Sequence, residues 1–147
     1  MGTRAIYIFE DDHNGLLEGE VHVYKHYDNY PSGAVDFIEN AKEYAWELPR
    51  FEADEFASAF VAANKNPKGG EVRLVNARFK DREEMLEAHD WCDYYYVISF
   101  IPQEQALWVE IWESQYMSSR DTCSWVLIDE LTHDHMKEKY GERAIAV

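Results

Sequence analysis

The segment Tyr94–Ile101 constrains the fold more than any other part of the chain. It reads Tyr-Tyr-Tyr-Val-Ile-Ser-Phe-Ile, and aromatic and β-branched side chains of this kind suit a pleated, buried surface. Pro102-Gln103-Glu104-Gln105 follows as a turn, and residues 106–113 then alternate as a second strand. Leu107, Val109 and Ile111 share one face of that strand, and Trp108, Glu110 and Trp112 the other. Strands joined so closely pair antiparallel. Large apolar groups stand on both faces, so helices must cover at least one. The face of Trp108 and Trp112 then either lies under a helix of its own or meets a partner or a second copy of the chain.

The remaining segments fit around this hairpin. Residues 4–10 and 19–28 read as two strands joined by the turn chemistry of Asp11-Asp12-His13-Asn14-Gly15. Ala34, Phe37, Ile38, Ala41, Tyr44, Ala45 and Leu48 recur at helical spacing, with Ser32 as N-cap and Pro49 as terminator. A second helix is predicted over 52–64, with Phe56, Phe60 and Val61 on its apolar side. Asn66-Pro67-Lys68-Gly69-Gly70 makes a loop. A strand over 71–76, a short helix over 81–89, a strand over 124–129 and a helix over 132–140 ending near Gly141 complete the order. The 147 residues make one domain, long enough to bury roughly 68–70% of the unfolded surface without a metal or disulfide. The predicted architecture is α+β: a mostly antiparallel sheet of five or six strands, two main helices on one face and a C-terminal helix.

Charge narrows the function. A net charge of −15 disfavours direct binding to nucleic acid or to an anionic membrane, and it steers basic partners toward the chain. The acidity is interrupted. Residues 65–82 are net basic, through Lys65, Lys68, Arg73, Arg78, Lys80 and Arg82, between two acidic blocks. The opening carries no secretory leader pattern and no segment has the apolar length of a membrane span. Cys92 and Cys123 are therefore expected to be free thiols in a reducing cytoplasm.

Several groupings could carry function. His22, Tyr24, His26 and Asp28 share one face of the second strand by its period of two, as a metal or acid–base site or as an ordinary polar face. His133 and His135 lie near a helix start, where capping explains them. Asp36, Glu39, Glu43 and Glu47 form an acidic stripe on the first long helix with a repeat of ~6 Å. Such a stripe either imitates a nucleic-acid backbone or is a wet helix face. Neither cysteine sits at a reactive turn, and no phosphate loop or metal-ligand spacing occurs, so no catalytic residue, metal or cofactor is assigned.

Met1-Gly2-Thr3-Arg4-Ala5 runs directly into a strand, and the segment Tyr24-Lys25-His26-Tyr27-Asp28-Asn29-Tyr30-Pro31-Ser32-Gly33 follows the second. Together they resemble small uncharacterised proteins of tailed bacteriophages and bacteria, over about the first quarter of the chain. Asn29 stands where that family usually has Gly and is expected to take a positive φ. The resemblance implies a phage-type accessory protein in the host cytoplasm and singles out Thr3, Arg4, Asp28, Tyr30 and Pro31. Antiparallel pairing should bring Arg4 near Asp28, as a structural clasp or as the floor of a ligand site.

Two functions follow as expectations. One is a non-enzymatic acidic interaction protein that engages a basic, nucleic-acid-handling protein through Asp36, Glu39, Glu43, Glu47, Trp108 and Trp112, with a homo-oligomer as a further form. The other is a small ligand-binding or hydrolase-like domain using Arg4, His22, His26, Asp28 and Tyr30.

Overall fold

The computed structural model describes residues 3–11, 19–65, 71–76, 79–115 and 125–141. The turn predicted at 12–15, the loop at 66–70, Arg78 and Cys123 lie outside them. Ten elements are described: β1 (Ala5–Glu10), β2 (Glu20–Lys25), α1 (Pro31–Tyr44), α2 (Ala53–Asn64), β3 (Val72–Leu74), α3 (Arg82–Ala88), β4 (Tyr94–Ile101), β5 (Ala106–Ser114), β6 (Trp125–Thr132) and α4 (His133–Tyr140). The fold is α+β, with a six-stranded sheet in the order β3-β2-β1-β4-β5-β6. Every pair is antiparallel except β1 with β4, which run parallel at the centre. Short hairpin connections point only to antiparallel pairs. The parallel pair arises because β4 is reached through α3 and lies on the far side of β1 from β2.

The strand period sorts the core onto two faces. Tyr7, Phe9, Val23, Tyr96, Ile98, Leu107, Val109 and Ile111 pack with Ile38, Phe56, Phe60 and Met136 from α1, α2 and α4. Ile6, Ile8, Tyr24, Tyr95 and Val97 point the other way, against Met85 and Leu86 of α3 and Cys92. Among the described residues, that second face is partly roofed by one short helix, α3. Arg82 anchors the helix to the sheet, with its guanidinium 2.6 Å from both Glu10 and Glu20. Burial pushes the Glu20 carboxyl up, but hydrogen bonds from His22 and Arg82 outweigh it and hold the group at about 2. Burial wins at Glu10, whose carboxyl is raised despite Arg82.

The segment after β2 is a structural lock built on Asn29. This side chain is fully buried. Its Oδ1 accepts from the Tyr7 hydroxyl at 2.7 Å, and its Nδ2 donates to the carbonyls of Thr3 and Lys25 at 2.8 and 2.9 Å. Its own carbonyl accepts from the Tyr96 hydroxyl at 2.5 Å. One asparagine therefore ties together the chain entering β1, the end of β2, and both central strands. The positive φ expected at Asn29 falls instead on Asp28, at 63°. The Asp28 carbonyl then packs against Gly33, where a Cβ would stand 1.9 Å from it, so no larger residue fits there.

Pro31 opens α1 at its first position, where a missing N–H costs nothing, and Tyr30 rather than Ser32 occupies the N-cap. The helix stops at Tyr44, four residues short of the predicted end. The Glu55 carboxylate takes the Trp46 N–H at 3.1 Å and draws the chain toward α2. Asp11, just past β1, accepts from the Ala53 N–H at 2.7 Å, so its side chain satisfies the first N–H of α2.

Candidate functional site

A concavity lies on the α3 side of the sheet, between β3 and the turn that follows α3. Its construction starts with a cross-strand pair: Tyr24 of β2 stands opposite Arg73 of β3. Opposed side chains share a face, which carries the Arg73 guanidinium over the Tyr24 ring, 4.9 Å from its centroid. After Leu74 the chain leaves the sheet, with the Val75 N–H held by the His22 carbonyl at 2.9 Å. Asp81 caps α3 by accepting from the Glu84 N–H at 2.9 Å. At the other end of α3, the His89 ring is fixed by Nδ1 to the Met85 carbonyl at 2.8 Å. The Trp91 Nε1–H donates to the Ala88 carbonyl at 3.2 Å. These bonds set both rings over the sheet.

The result is an unbroken run of rings. Phe79 lies 5.8 Å from His89, His89 5.7 Å from Trp91, and Trp91 5.4 Å from Tyr24. Tyr24 continues to His26 at 6.1 Å, and His26 to Tyr27 at 4.3 Å. The cleft has a volume of about 210 Å³ and is lined by Tyr24, Arg73, Leu74, Val75, Asn76, Phe79, His89 and Trp91. Arg4 adds a second guanidinium, 5.4 Å from the centre of the Trp91 ring, and its buried Nε has no hydrogen-bond partner. Arg73 also pairs with Glu71.

Electrostatics define what this arrangement can do. Burial, aided by Cys92 and Glu71 and opposed by Arg4 and Arg73, pushes the Tyr24 hydroxyl up to about 12. Burial likewise pushes the Cys92 thiol up to about 12, although Arg4 is close enough to lower it. Both groups keep their protons near neutral pH, and Cys92 is a free, buried thiol without thiolate character. The Tyr24 hydroxyl and His26 Nδ1 lie 2.6 Å apart, so that hydroxyl is already engaged. The cleft offers stacking surface and fixed positive charge rather than an activated nucleophile.

The residues singled out in the sequence do not gather in one place. His26 and Arg4 reach this region. His22 lies farther along β2, 2.8 Å from Glu20 and within the charge cluster around Arg82. No ion pair joins Arg4 to Asp28. The Arg4 N–H donates to Asp93, and the charge acting on Lys25 is that of Asp28. The left-handed turn at Asp28 carries its carboxylate off the line of β2. Tyr30 packs edge-on against Tyr94, in the layer that also holds Tyr7 and Tyr96. Among the described residues no group of three His, Cys, Asp or Glu side chains is placed to hold a metal ion.

The acidic stripe is also shorter than its spacing implies. Asp36 and Glu43 are exposed on α1, but Glu47 lies beyond the end of the helix. Glu39 meets Lys137 of α4 at 3.2 Å. Burial raises its carboxyl, and Lys137 and Lys42 more than reverse that. Trp112 lies flat on Tyr95, 5.3 Å between centroids and 5° between planes, and its Nε1–H donates to Glu110 at 2.9 Å. Trp108 is half-buried. Their strand, β5, is paired on both edges.

Three cleft residues escape a reading by periodicity: Phe79 lies in irregular chain before α3, and His89 and Trp91 in the turn after it. The available signal was the basic stretch 65–82, which supplies five of the eight lining residues. Among the described residues no helix is long and apolar enough to cross a membrane. No protein-family model matches the chain, and no curated protein and no solved structure is significantly similar to it.

Proposed function

We propose that this chain is a binding protein that seats a small ligand in the cleft between β3 and the α3–β4 turn. The observation that carries this reading is the run of rings Phe79–His89–Trp91–Tyr24, with His89 and Trp91 held by backbone hydrogen bonds and the run left open on one side among the described residues. Trp91 is 44% exposed and Leu74 62%, so apolar surface meets solvent where no packing requirement explains it. Binding rather than catalysis is favoured because Tyr24 in the cleft and the nearby Cys92 thiol are held protonated. The resemblance of the opening and of residues 24–33 to phage proteins supports an accessory role in a host cytoplasm. Screening of small fragments by saturation-transfer NMR tests the reading. Hits should lose their signal with the W91A variant and keep it with W112A. Hits indifferent to Trp91 would reject the cleft.

The surface charge favours a second activity, contact with a basic protein. Asp36 and Glu43 are exposed on α1, beside exposed Tyr44 and Trp46. Binding of this kind weakens steeply as salt rises. Retention of a nucleic-acid-handling protein that is insensitive to salt, or insensitive to the D36N/E43Q pair, would exclude it.

A further inference from the structure

Building on the cleft as a ligand site, we infer that its ligand is a planar aromatic ring bearing an anionic group, a carboxylate or a phosphate. Three observations converge on this chemistry. The walls are aromatic: Trp91 packs on Tyr24, 5.4 Å between centroids and 58° between planes, and remains partly exposed, so a flat ring gains stacking area on the indole with little loss of freedom. The volume of about 210 Å³ corresponds to roughly seven water molecules, which fits one ring with one substituent and leaves the rest of a larger ligand in solvent. Charge decides the sign of the substituent. In a chain of net charge −15, the charged side chain that lines this cleft is the cationic Arg73, and Arg4 stands beside it over Trp91.

A cationic ligand is the natural competitor, because aromatic walls attract cations and the whole protein is acidic. The two arginines reverse that preference locally. The Arg73 guanidinium already stands over Tyr24, and that of Arg4 over Trp91. An incoming ammonium would meet positive charge at the two ring faces it needs. An anion would meet a planar fork suited to carboxylate or phosphate oxygens. Arg4 Nε, buried without an acceptor, shows that the local donors are not fully used by the protein. Glu71 is the internal competitor: its carboxylate holds Arg73 now and must share it with a bound anion.

The test is a titration of four isosteric or related probes followed through the Trp91 indole in two-dimensional NMR: benzoate, adenosine monophosphate, benzyl alcohol and benzyltrimethylammonium. Benzoate should bind at least about ten-fold more tightly than benzyl alcohol, as one charge-assisted contact provides. R73Q should erase that difference, and E71Q, which releases Arg73, should enlarge it. Both changes fall on exposed side chains and leave the fold intact, as the unperturbed remainder of the spectrum will verify. Stronger binding of the phosphate probe than of benzoate identifies a nucleotide-like ligand, and the reverse identifies an aromatic acid. Either supports the assignment. Tighter binding of benzyltrimethylammonium overturns the anionic class while leaving the cleft as a site. No response of Trp91 to any probe at millimolar concentration overturns the site itself.

Discussion

Replacing Asn29 with alanine should cost about 3–5 kcal/mol of folding stability. The side chain is fully buried and makes three hydrogen bonds. Alanine leaves the Tyr7 hydroxyl, itself at 0% exposure, with no acceptor and no water. An orphaned buried donor costs about 1–3 kcal/mol. The Thr3 and Lys25 carbonyls each lose a donor, at roughly 1 kcal/mol apiece, although Thr3 keeps the Asn29 N–H at 3.3 Å. Domains of this kind have about 5–15 kcal/mol in all, so the loss is a large fraction. For this length it lowers Tm by roughly 10–15 °C. Urea unfolding measures it as a fall in midpoint at constant m-value. The double variant N29A/Y7F adds a sharper check. Phenylalanine removes the orphaned hydroxyl, so the double loss should fall short of the sum of the singles by about 1–2 kcal/mol. A single-variant loss below about 1 kcal/mol, or strict additivity, would refute the role of Asn29 as the tie between strands.

Three further outcomes are expected. In a C123S background, Cys92 should stay unreactive toward a disulfide reagent at pH 8 until the protein unfolds, since burial holds its thiol near 12; rapid labelling of the native protein would contradict this. His133 is buried and kept neutral, with burial lowering its pKa against the pull of the Val35 carbonyl and Glu39. The unfolded chain therefore binds the proton more readily, and stability should fall as pH drops below about 6.5, less so in H133Q; denaturant midpoints across pH 5–7 measure it. Glu20, held at about 2, contributes stability above the ordinary carboxyl range that is lost as pH falls from about 4.5 toward 2. R82L should remove Arg82's share of that contribution and destabilise the protein by about 2 kcal/mol at neutral pH, because Glu10 loses its partner and Glu20 keeps only His22. A variant as stable as the parent at pH 7 would show that the cluster is idle.

Much of the fold was legible because its signals are periodic. Tyr94–Ile101 forms β4 with the predicted bounds, and α2 starts within one residue of its predicted start. Two-sided apolar content in residues 106–113 called for helices on at least one face of the sheet; α1, α2 and α4 pack on one face and α3 on the other. The misreadings came where a distant side chain competes with local propensity. Glu55 ends α1 early, and Asn29 bonds Tyr7 of β1, the chain entering β1 and the end of β2 at once, neither of which any local window reveals. The candidate site was the least legible part. Its residues come from β2, β3 and the chain on either side of α3, and strand register alone brings Tyr24 opposite Arg73. The basic stretch was visible as charge, but its meaning depends on Trp91 and His89 folding back over it, a tertiary fact.

A crystal of the protein soaked with benzoate at saturating concentration gives the most direct test of the cleft. Ring density stacked on Trp91 beside Tyr24, with the carboxylate toward Arg73, is the predicted result. An empty cleft, with ligand density at other surfaces or at none, would contradict it.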